Sequence, residues 1–317
     1  MKDRETRRKK LALACVVSNS TEILGVRDIL RSTSVYLKDA PLIVLNNSND
    51  REVSELLEKL GRKFGNLRAL SMPRQGSEKM TRDGVPAHAS GSGFGSLTWS
   101  VFKCMEYALD NLDFEAFLKI DPDSLIIGRG LDLDICGYLE KNPRAGLLGS
   151  YKRNCNGVAR DFSSFMKEFS DDALDWDNIL RRIKERNPEF VPGEHVQGGG
   201  EAYSRSCIEA IVRSGPFSAD ELDKSILSED VVFSTITMYL GFEIHGFSDP
   251  GFPFAIAWRG LPMSVLRMRL QGKALIHSIK FDMASRTKRR LFGVLRAADR
   301  IFLRGDNPDC SQKAIVV

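Results

Sequence analysis

The sequence predicts an α/β protein built on a mostly parallel sheet with helices on both faces. Short apolar runs at residues 11–17, 41–45, 67–72 and 114–120 alternate with stretches of helical periodicity. Such alternation is what strand–helix–strand crossovers look like in one dimension. The 317 residues are ample for a buried core. A hydrophobic share of 42% with 28% charged residues is ordinary for a globular chain.

The elements follow in order. Leu11–Val17 is apolar throughout and reads as a strand buried on both faces. Thr21 can cap the helix behind it, whose apolar positions include Leu24, Ile29 and Leu30. Pro41–Leu45 is the second strand, stopped by Asn46-Asn47-Ser48-Asn49-Asp50. Glu52–Phe64 places Val53, Leu56, Leu57, Leu60 and Phe64 at helical spacing. Leu67–Met72 is a third strand, and residues 73–93 form a Gly-, Ser- and charge-rich loop. A helix over Gly95–Asn111 leads into a fourth strand, Phe114–Ile120, which ends on Asp121. Beyond residue 124 the pattern loosens. Ala145–Ser150 reads as a strand. Residues 151–190 read as an insertion with short helices at 162–169 and 179–186. A glycine run at 198–200 precedes a helix over Ser204–Arg213, and another helix covers Val231–Leu240. Phe242–Phe247 and Ala274–Ile279 are late strands. These elements suggest a basic tail (1–10), one catalytic-type domain (11–283, in halves 11–124 and 125–283) and a basic C-terminal helix and tail (284–317).

Charge is unevenly placed. Residues 1–10 carry +4 and residues 286–304 carry +6, which leaves −6 on the body of a chain whose net charge is +4. An acidic body suits a divalent cation and argues against a nucleic-acid groove, which must be basic. Six scattered cysteines without a C-x-x-C pair read as reduced thiols. No apolar run reaches the ~18–20 residues that span a bilayer. The basic start followed by a short apolar stretch reads as a strand rather than a signal peptide. In the C-terminal helix, Leu291, Val294, Leu295, Ala298, Ile301 and Phe302 share one side among seven basic residues. Such a helix either docks its stripe on the domain or lies on an anionic membrane surface.

Four features carry chemistry. Asp121-Pro122-Asp123 puts two carboxylates at a strand end, where they can hold one Mn²⁺ or Mg²⁺. It is either that or an Asp-Pro turn. Asp132-Leu133-Asp134 and Asp175-Trp176-Asp177 have the same form, but neither directly follows an apolar strand. Ser228-Glu229-Asp230 heads a helix, so its carboxylates either complement the helix dipole or supply a general base. Gly198-Gly199-Gly200 permits close approach of a substrate or forms a flexible loop. His277 sits in an apolar strand, as a structural ring or a further metal ligand. His195, two residues before Gln197, can line an acceptor cleft. Ligands of open α/β sheets gather at the carboxyl ends of strands, which adds Ser18, Asn19 and Asp50 to the candidates. Phosphate-loop and dinucleotide fingerprints are absent.

In this order, the paired Asp, glycine run, Glu-Asp and late His resemble the inverting β-1,3-glycosyltransferases of the Fringe and β-1,3-galactosyltransferase group, which have the GT-A fold. The family's Gly-Gly-x-Gly-Tyr-like segment is matched by Gly198-Gly199-Gly200-Glu201-Ala202-Tyr203, and its Glu-Asp-Val by Glu229-Asp230-Val231. Arg27-Asp28-Ile29-Leu30-Arg31-Ser32-Thr33 is similar to its Arg-rich helix after strand one, and Leu97-Thr98 to the opening of its helix before the paired Asp. The likeness covers roughly residues 11–280. It implies a mixed, mostly parallel sheet and a hexosyl transfer with inversion, from a nucleotide sugar such as UDP-sugar to a glycan or lipid-linked glycan. It also implies Mn²⁺ or Mg²⁺ on Asp121, Asp123 and His277, with Asp230 as base and Glu229 as its neighbouring candidate. Ser18, Asn19, Arg27, Arg31, Asp50, Asp121 and Gly198–Gly200 would hold the donor.

The chain departs from the family at Pro122, where a third Asp is common, and at Ser100, where a lysine is expected. It shows no membrane anchor or luminal disulfides, so a cytoplasmic setting is expected, with peripheral contact at the inner membrane face through residues 286–304. Two other readings stay open. One is a family-2-type glycosyltransferase, for which Ala257-Trp258-Arg259 has the wrong order. The other is a catalytically silent sugar-nucleotide-binding protein.

Overall fold

The computed structural model describes residues 10–38, 40–48, 50–72, 95–162, 165–258, 260–280 and 283–305. The first half alternates as the sequence predicts: β1 (Leu11–Val17), α1 (Ser20–Tyr36), β2 (Leu42–Asn46), α2 (Arg51–Lys63), β3 (Leu67–Ser71), α3 (Gly95–Asn111) and β4 (Ala116–Ile120). The predicted loop at 73–93 lies outside the described residues. The second half adds β5 (Leu125–Ile126), α4 (Leu131–Lys141), β6 (Ala145–Ser150), α5 (Phe165–Asp171), α6 (Asp177–Arg186), β7 (Gln197–Ser204) and α7 (Arg205–Ser214). It ends with α8 (Ala219–Leu222), α9 (Glu229–Tyr239), β8 (Glu243–Gly246), β9 (Phe254–Ile256), α10 (Val265–Leu270), β10 (Leu275–His277) and α11 (Met283–Gly305).

Seven strands form the main sheet in the order β3-β2-β1-β4-β7-β6-β8. Only β7 runs antiparallel to its neighbours, β4 and β6. The sheet is thus mixed and mostly parallel, as expected. β1 explains why both faces are covered. Leu11, Leu13, Cys15 and Val17 enter one apolar cluster with Ile23, Val53 and Ile135, from α1, α2 and α4. Ala12, Ala14 and Val16 enter the opposite cluster with Met105, Ile208 and Val232, from α3, α7 and α9. An unbroken apolar strand is the sequence signature of this two-sided burial.

A second sheet, β5-β10-β9, lies across the carboxyl end of the first. It has its own small core of Leu125, Ala255, Met268, Ile276 and Phe292. Lys273 fastens the turn between β8 and β9 by donating to the carbonyls of Ser248, Asp249 and Phe252 at 2.8–3.1 Å. Burial of this lysine is tolerated because its three donors are all used.

The glycine run, read as a loop before a helix, is instead the start of β7, in the middle of the sheet. A Cβ on Gly200 would lie 2.8 Å from both Ile256 and Leu275. The second sheet packs directly on this strand, and only glycine leaves room for it. The cap of α1 also differs from expectation. Asn19, not Thr21, accepts the Glu22 N–H at 3.1 Å. The cysteines at 15, 104, 136, 155 and 207 are buried free thiols, and Cys310 lies outside the described residues.

Candidate active site

The site grows from the carboxyl end of β4. Asp121-Pro122-Asp123-Ser124 is a tight turn in which the Ser124 N–H donates to the Asp121 carbonyl at 2.9 Å. Pro122 occupies the position whose fixed φ suits such a turn, so the break in the acidic run has a local cause. The Ser124 hydroxyl donates to the Gly199 carbonyl at 2.6 Å, and the Ile279 N–H to the Asp123 carbonyl at 2.8 Å. These bonds tie the turn to β7 and to the exit of β10.

That placement brings His277 over the turn. Its Nε2 lies 3.2 Å from Asp123 Oδ1 and 3.5 Å from Asp121 Oδ2. One ligand atom from each of the three residues falls within 4.8 Å of the others. Gly199 supplies the seat. Its φ is +96°, and a Cβ there would come 2.4–2.6 Å from the imidazole. Two carboxylate oxygens and an imidazole nitrogen aimed at one point, with the ring cradled on a glycine, fit a divalent cation such as Mn²⁺. Lys280 Nζ sits 2.7 Å from Asp123 Oδ2. Burial alone would raise the Asp123 carboxyl, but His277 and Lys280 reverse this and hold it well below the carboxylate range.

Beneath the turn is a charged network. Lys119 is 1% exposed and reaches Asp121 at 2.9 Å, Glu201 at 3.2 Å and Glu229. Lys119 and Glu201 are register partners across β4 and β7. Burial works against the ammonium, but the three acids outweigh it and keep Lys119 protonated. One ammonium cannot offset two buried carboxylates and a third, Asp121, that is half-buried. Burial therefore pushes Glu201 up to about 8, against the pull of Lys119, and raises Glu229 as well. The Tyr203 hydroxyl donates to Glu201 at 2.6 Å.

Asp230 lies beside this network, in the first turn of α9. Its Oδ2 accepts the Gly198 N–H at 2.9 Å, and its Oδ1 accepts the Val231 N–H at 2.9 Å and the Ser228 hydroxyl. Burial pushes its carboxyl up. Hydrogen bonds from Ser228 and Gly198 and the charge of Lys119 push it further down, so Asp230 is held as the carboxylate. Glu229 is committed to Lys119, whereas the Asp230 side chain keeps 14% of its surface exposed. Neighbouring glycines thus face the two halves of the site: Gly199 the His277 ring, Gly198 the Asp230 carboxylate.

His195 stands 3.8 Å from Asp230. Its Nε2 meets Arg160 Nη2 at 2.7 Å and its Nδ1 the Gly193 carbonyl at 2.7 Å. A guanidinium only donates, so Nε2 is the acceptor and Nδ1 carries the proton. Burial lowers the His195 pKa, consistent with a neutral ring. Phe162 and Phe165 pack edge-on against it at 5.4 and 4.8 Å. Phe162, Phe165 and His195 therefore build an aromatic wall next to Asp230.

The other candidates divide. Ser18 and Asn19 end β1 and cap α1, and the Ser18 N–H and hydroxyl both donate to Glu22. Asp50 caps α2 through the Glu52 N–H at 2.8 Å. These three sit at the carboxyl edge of the sheet. Arg27 is half-buried on α1, with Nε lacking a hydrogen-bond partner among the described residues. Arg31 is not brought to the strand ends. It lies about 16 Å along the helix axis from Ser20, 3.6 Å from Asp28, which also receives Arg289 of α11. The look-alike acids are helix starts: Asp132 and Asp134 in α4, and Asp175 accepting the Asp177 N–H at the start of α6. Lys119, Glu201, Arg160 and Lys280 were not singled out from sequence. The available signal was a Lys and a Glu each placed inside an otherwise apolar or small-residue strand.

No family model matches the chain, and no curated protein matches it. Solved structures do overlap. The mannosyltransferase PcManGT from Pyrobaculum calidifontis, in complex with GDP-Man and Mn²⁺, is 15% identical with a TM-score of 0.45, covering 94% of this chain. The chain spans 65% of that protein's length. Core-mannan synthase A from Aspergillus fumigatus, in its Mn/GDP form, is 10% identical over 78% of this chain and 74% of that one, at a TM-score of 0.48. The galactosyltransferase LgtC, in complex with donor and acceptor sugar analogues, is 12% identical over 90% of this chain and 95% of that one, at 0.46. All three scores fall below 0.5, so function is read from the side chains of the site.

Proposed function

We propose that the protein is an inverting, metal-dependent glycosyltransferase of the GT-A type, moving a sugar from a nucleotide sugar to a hydroxyl of a glycan. The observation that carries this reading is the convergence of Asp121, Asp123 and His277 at the end of β4, one strand away from the Asp230 carboxylate on β7's Gly198. Asp121, Asp123 and His277 would hold Mn²⁺ or Mg²⁺, which supplies Lewis-acid charge neutralisation to a departing diphosphate. Ser18, Asn19, Asp50 and Arg27 would hold the nucleotide, and UDP-sugars are the donors to test first.

The chain's own residues account for the other half of the reaction. Asp230, ionised and partly exposed, takes the proton of the acceptor hydroxyl as its oxygen bonds to the anomeric carbon. The bond from that carbon to the nucleoside diphosphate breaks on the opposite side, so configuration inverts. His195, Phe162 and Phe165 present an aromatic face to the acceptor ring, and Arg160 holds His195 in one tautomer. Lys119 keeps Asp121 and Glu229 in place from below.

The test is turnover of a panel of UDP- and GDP-sugars with Mn²⁺, read as transfer or as slow donor hydrolysis. Activity with at least one donor that disappears with EDTA and with Asp123→Ala supports the reading. Activity that survives both overturns it. Binding of nucleotide and metal without turnover of any donor would favour a silent sugar-nucleotide-binding protein.

A further inference from the structure

α11 meets the rest of the protein through one side. Phe292 is 4% exposed and joins the core of the second sheet. Arg289 pairs with Asp28 at 3.1 Å, and Arg296 donates to the Ser32 hydroxyl at 3.1 Å. Asp299 accepts two bonds from Arg269 at 2.7 and 2.9 Å and one from the Tyr36 hydroxyl. Positions 289, 292, 296 and 299 recur at three- and four-residue spacing, which is one helix face.

The apolar stripe read from the sequence overlaps that face only at one edge, where Leu295 packs on the same core as Phe292. At 3.6 residues per turn, Leu291 is about 100° and Val294 about 160° around the helix from Phe292. Leu291 is 45% and Val294 66% exposed. The helix docks, then, while Leu291 and Val294 of its stripe point away from the domain. The docked side also absorbs Asp299, the single acid of residues 286–304, together with Arg289 and Arg296. Lys288 and Arg290 remain exposed on either side of Leu291 and Val294. Next to it, α10 is tied to α11 by the Arg269–Asp299 pair and exposes Leu266 and Leu270 one turn apart, with Arg267 between them.

We propose that the outward face of α11 lies on an anionic lipid surface. Leu291 and Val294 enter the boundary between headgroups and acyl chains, and Lys288 and Arg290 meet lipid phosphates. No helix among the described residues is long and apolar enough to cross a membrane, so the contact is peripheral. Charge selects lipid over a second copy of the chain. A two-fold contact would set this face against itself, cation against cation, with no acid on it among the described residues. The inference stands apart from the sugar-transfer reading, because none of these residues belongs to the site.

The experiment is sedimentation of the full chain with vesicles of phosphatidylcholine alone or mixed with phosphatidylglycerol. The protein pellets with the anionic vesicles only, and less as salt rises. Each lost cation lowers partitioning about five-fold near such a surface. Lys288→Ala and Arg290→Ala together therefore reduce it on the order of 25-fold. Leu291→Asp with Val294→Asp also releases the protein, and both variants keep the wild-type melting temperature. Equal pelleting of wild type and variants, or no pelleting with anionic vesicles, overturns the proposal. So does a concentration-dependent dimer, seen by ultracentrifugation, that Leu291→Asp with Val294→Asp dissolves, because the face would then be an interface between copies.

Discussion

Gly199→Ala tests how the His277 ring is held. A Cβ at this position would sit 2.4 Å from the ring Cγ and 2.5 Å from Nδ1. Carbon atoms in ordinary contact are about 3.5 Å apart, so the ring must retreat by roughly 1 Å. Metal–ligand distances tolerate about 0.2 Å. The displaced Nε2 can then no longer share an ion with Asp121 and Asp123. Loss of such support lowers metal affinity about 10–100-fold, the equivalent of about 1.4–2.8 kcal/mol. The φ of +96° adds strain for alanine, costing about 1–3 kcal/mol of stability. Gly251→Ala separates the two effects, because Gly251 has a φ of +91° but nothing within 4 Å of its Cβ. Calorimetric titration with Mn²⁺, alongside thermal melts, reads both. Both variants melt lower than wild type, and only Gly199→Ala weakens Mn²⁺. Equal Mn²⁺ affinities in the two variants would refute the seat assigned to Gly199.

Three further outcomes follow from the site. Asp230→Asn lowers the transfer rate about 10²–10⁴-fold while Mn²⁺ and nucleotide affinities stay within a few-fold; a rate near wild type places the base elsewhere. Lys119→Met strands the buried carboxylates of Glu201 and Glu229 and costs about 3–5 kcal/mol. Adding Glu229→Gln recovers part of that loss in urea unfolding, and a strictly additive pair of effects would mean the two groups are not coupled. Glu201, at about 8 in the folded chain against an ordinary 4.5, holds a proton that the unfolded chain releases. Its contribution is present at acidic pH and is lost as pH rises from about 5 to 8, by up to about 1.4 kcal/mol per unit. Urea midpoints across that window fall more steeply for wild type than for Glu201→Gln, and parallel curves would exclude the raised carboxyl.

Legibility of the sequence followed the physics of burial. β1 to β4 were readable because each is an apolar run between periodic helices, and their carboxyl ends located Asp121 and Asp123. β7 was not readable. Its glycines carry no alternating pattern, and their purpose is to admit Ile256, Leu275 and His277 from a second sheet that is distant in sequence. β5 and β9 are two and three residues long, too short for any period to register. Ser228-Glu229-Asp230 was visible as a pair of acids at a helix start. Their division of labour was not, because it depends on Lys119 reaching Glu229 from another strand. On α11 the stripe divides, with Leu291 and Val294 exposed and Leu295 packed on the core of the second sheet. The orientation was decided by Phe292, which lies off the stripe, and by the polar bonds of Arg296 and Asp299, which apolar periodicity does not register.

The central claim is that Asp121, Asp123 and His277 form one metal site serving a nucleotide sugar. A crystal structure with Mn²⁺ and a nucleoside diphosphate, using the anomalous signal of manganese, tests it most directly. The account predicts a manganese peak bonded to these three side chains and to the diphosphate. A peak at Asp132 and Asp134, at Asp175 and Asp177, or on the diphosphate without His277 would contradict it.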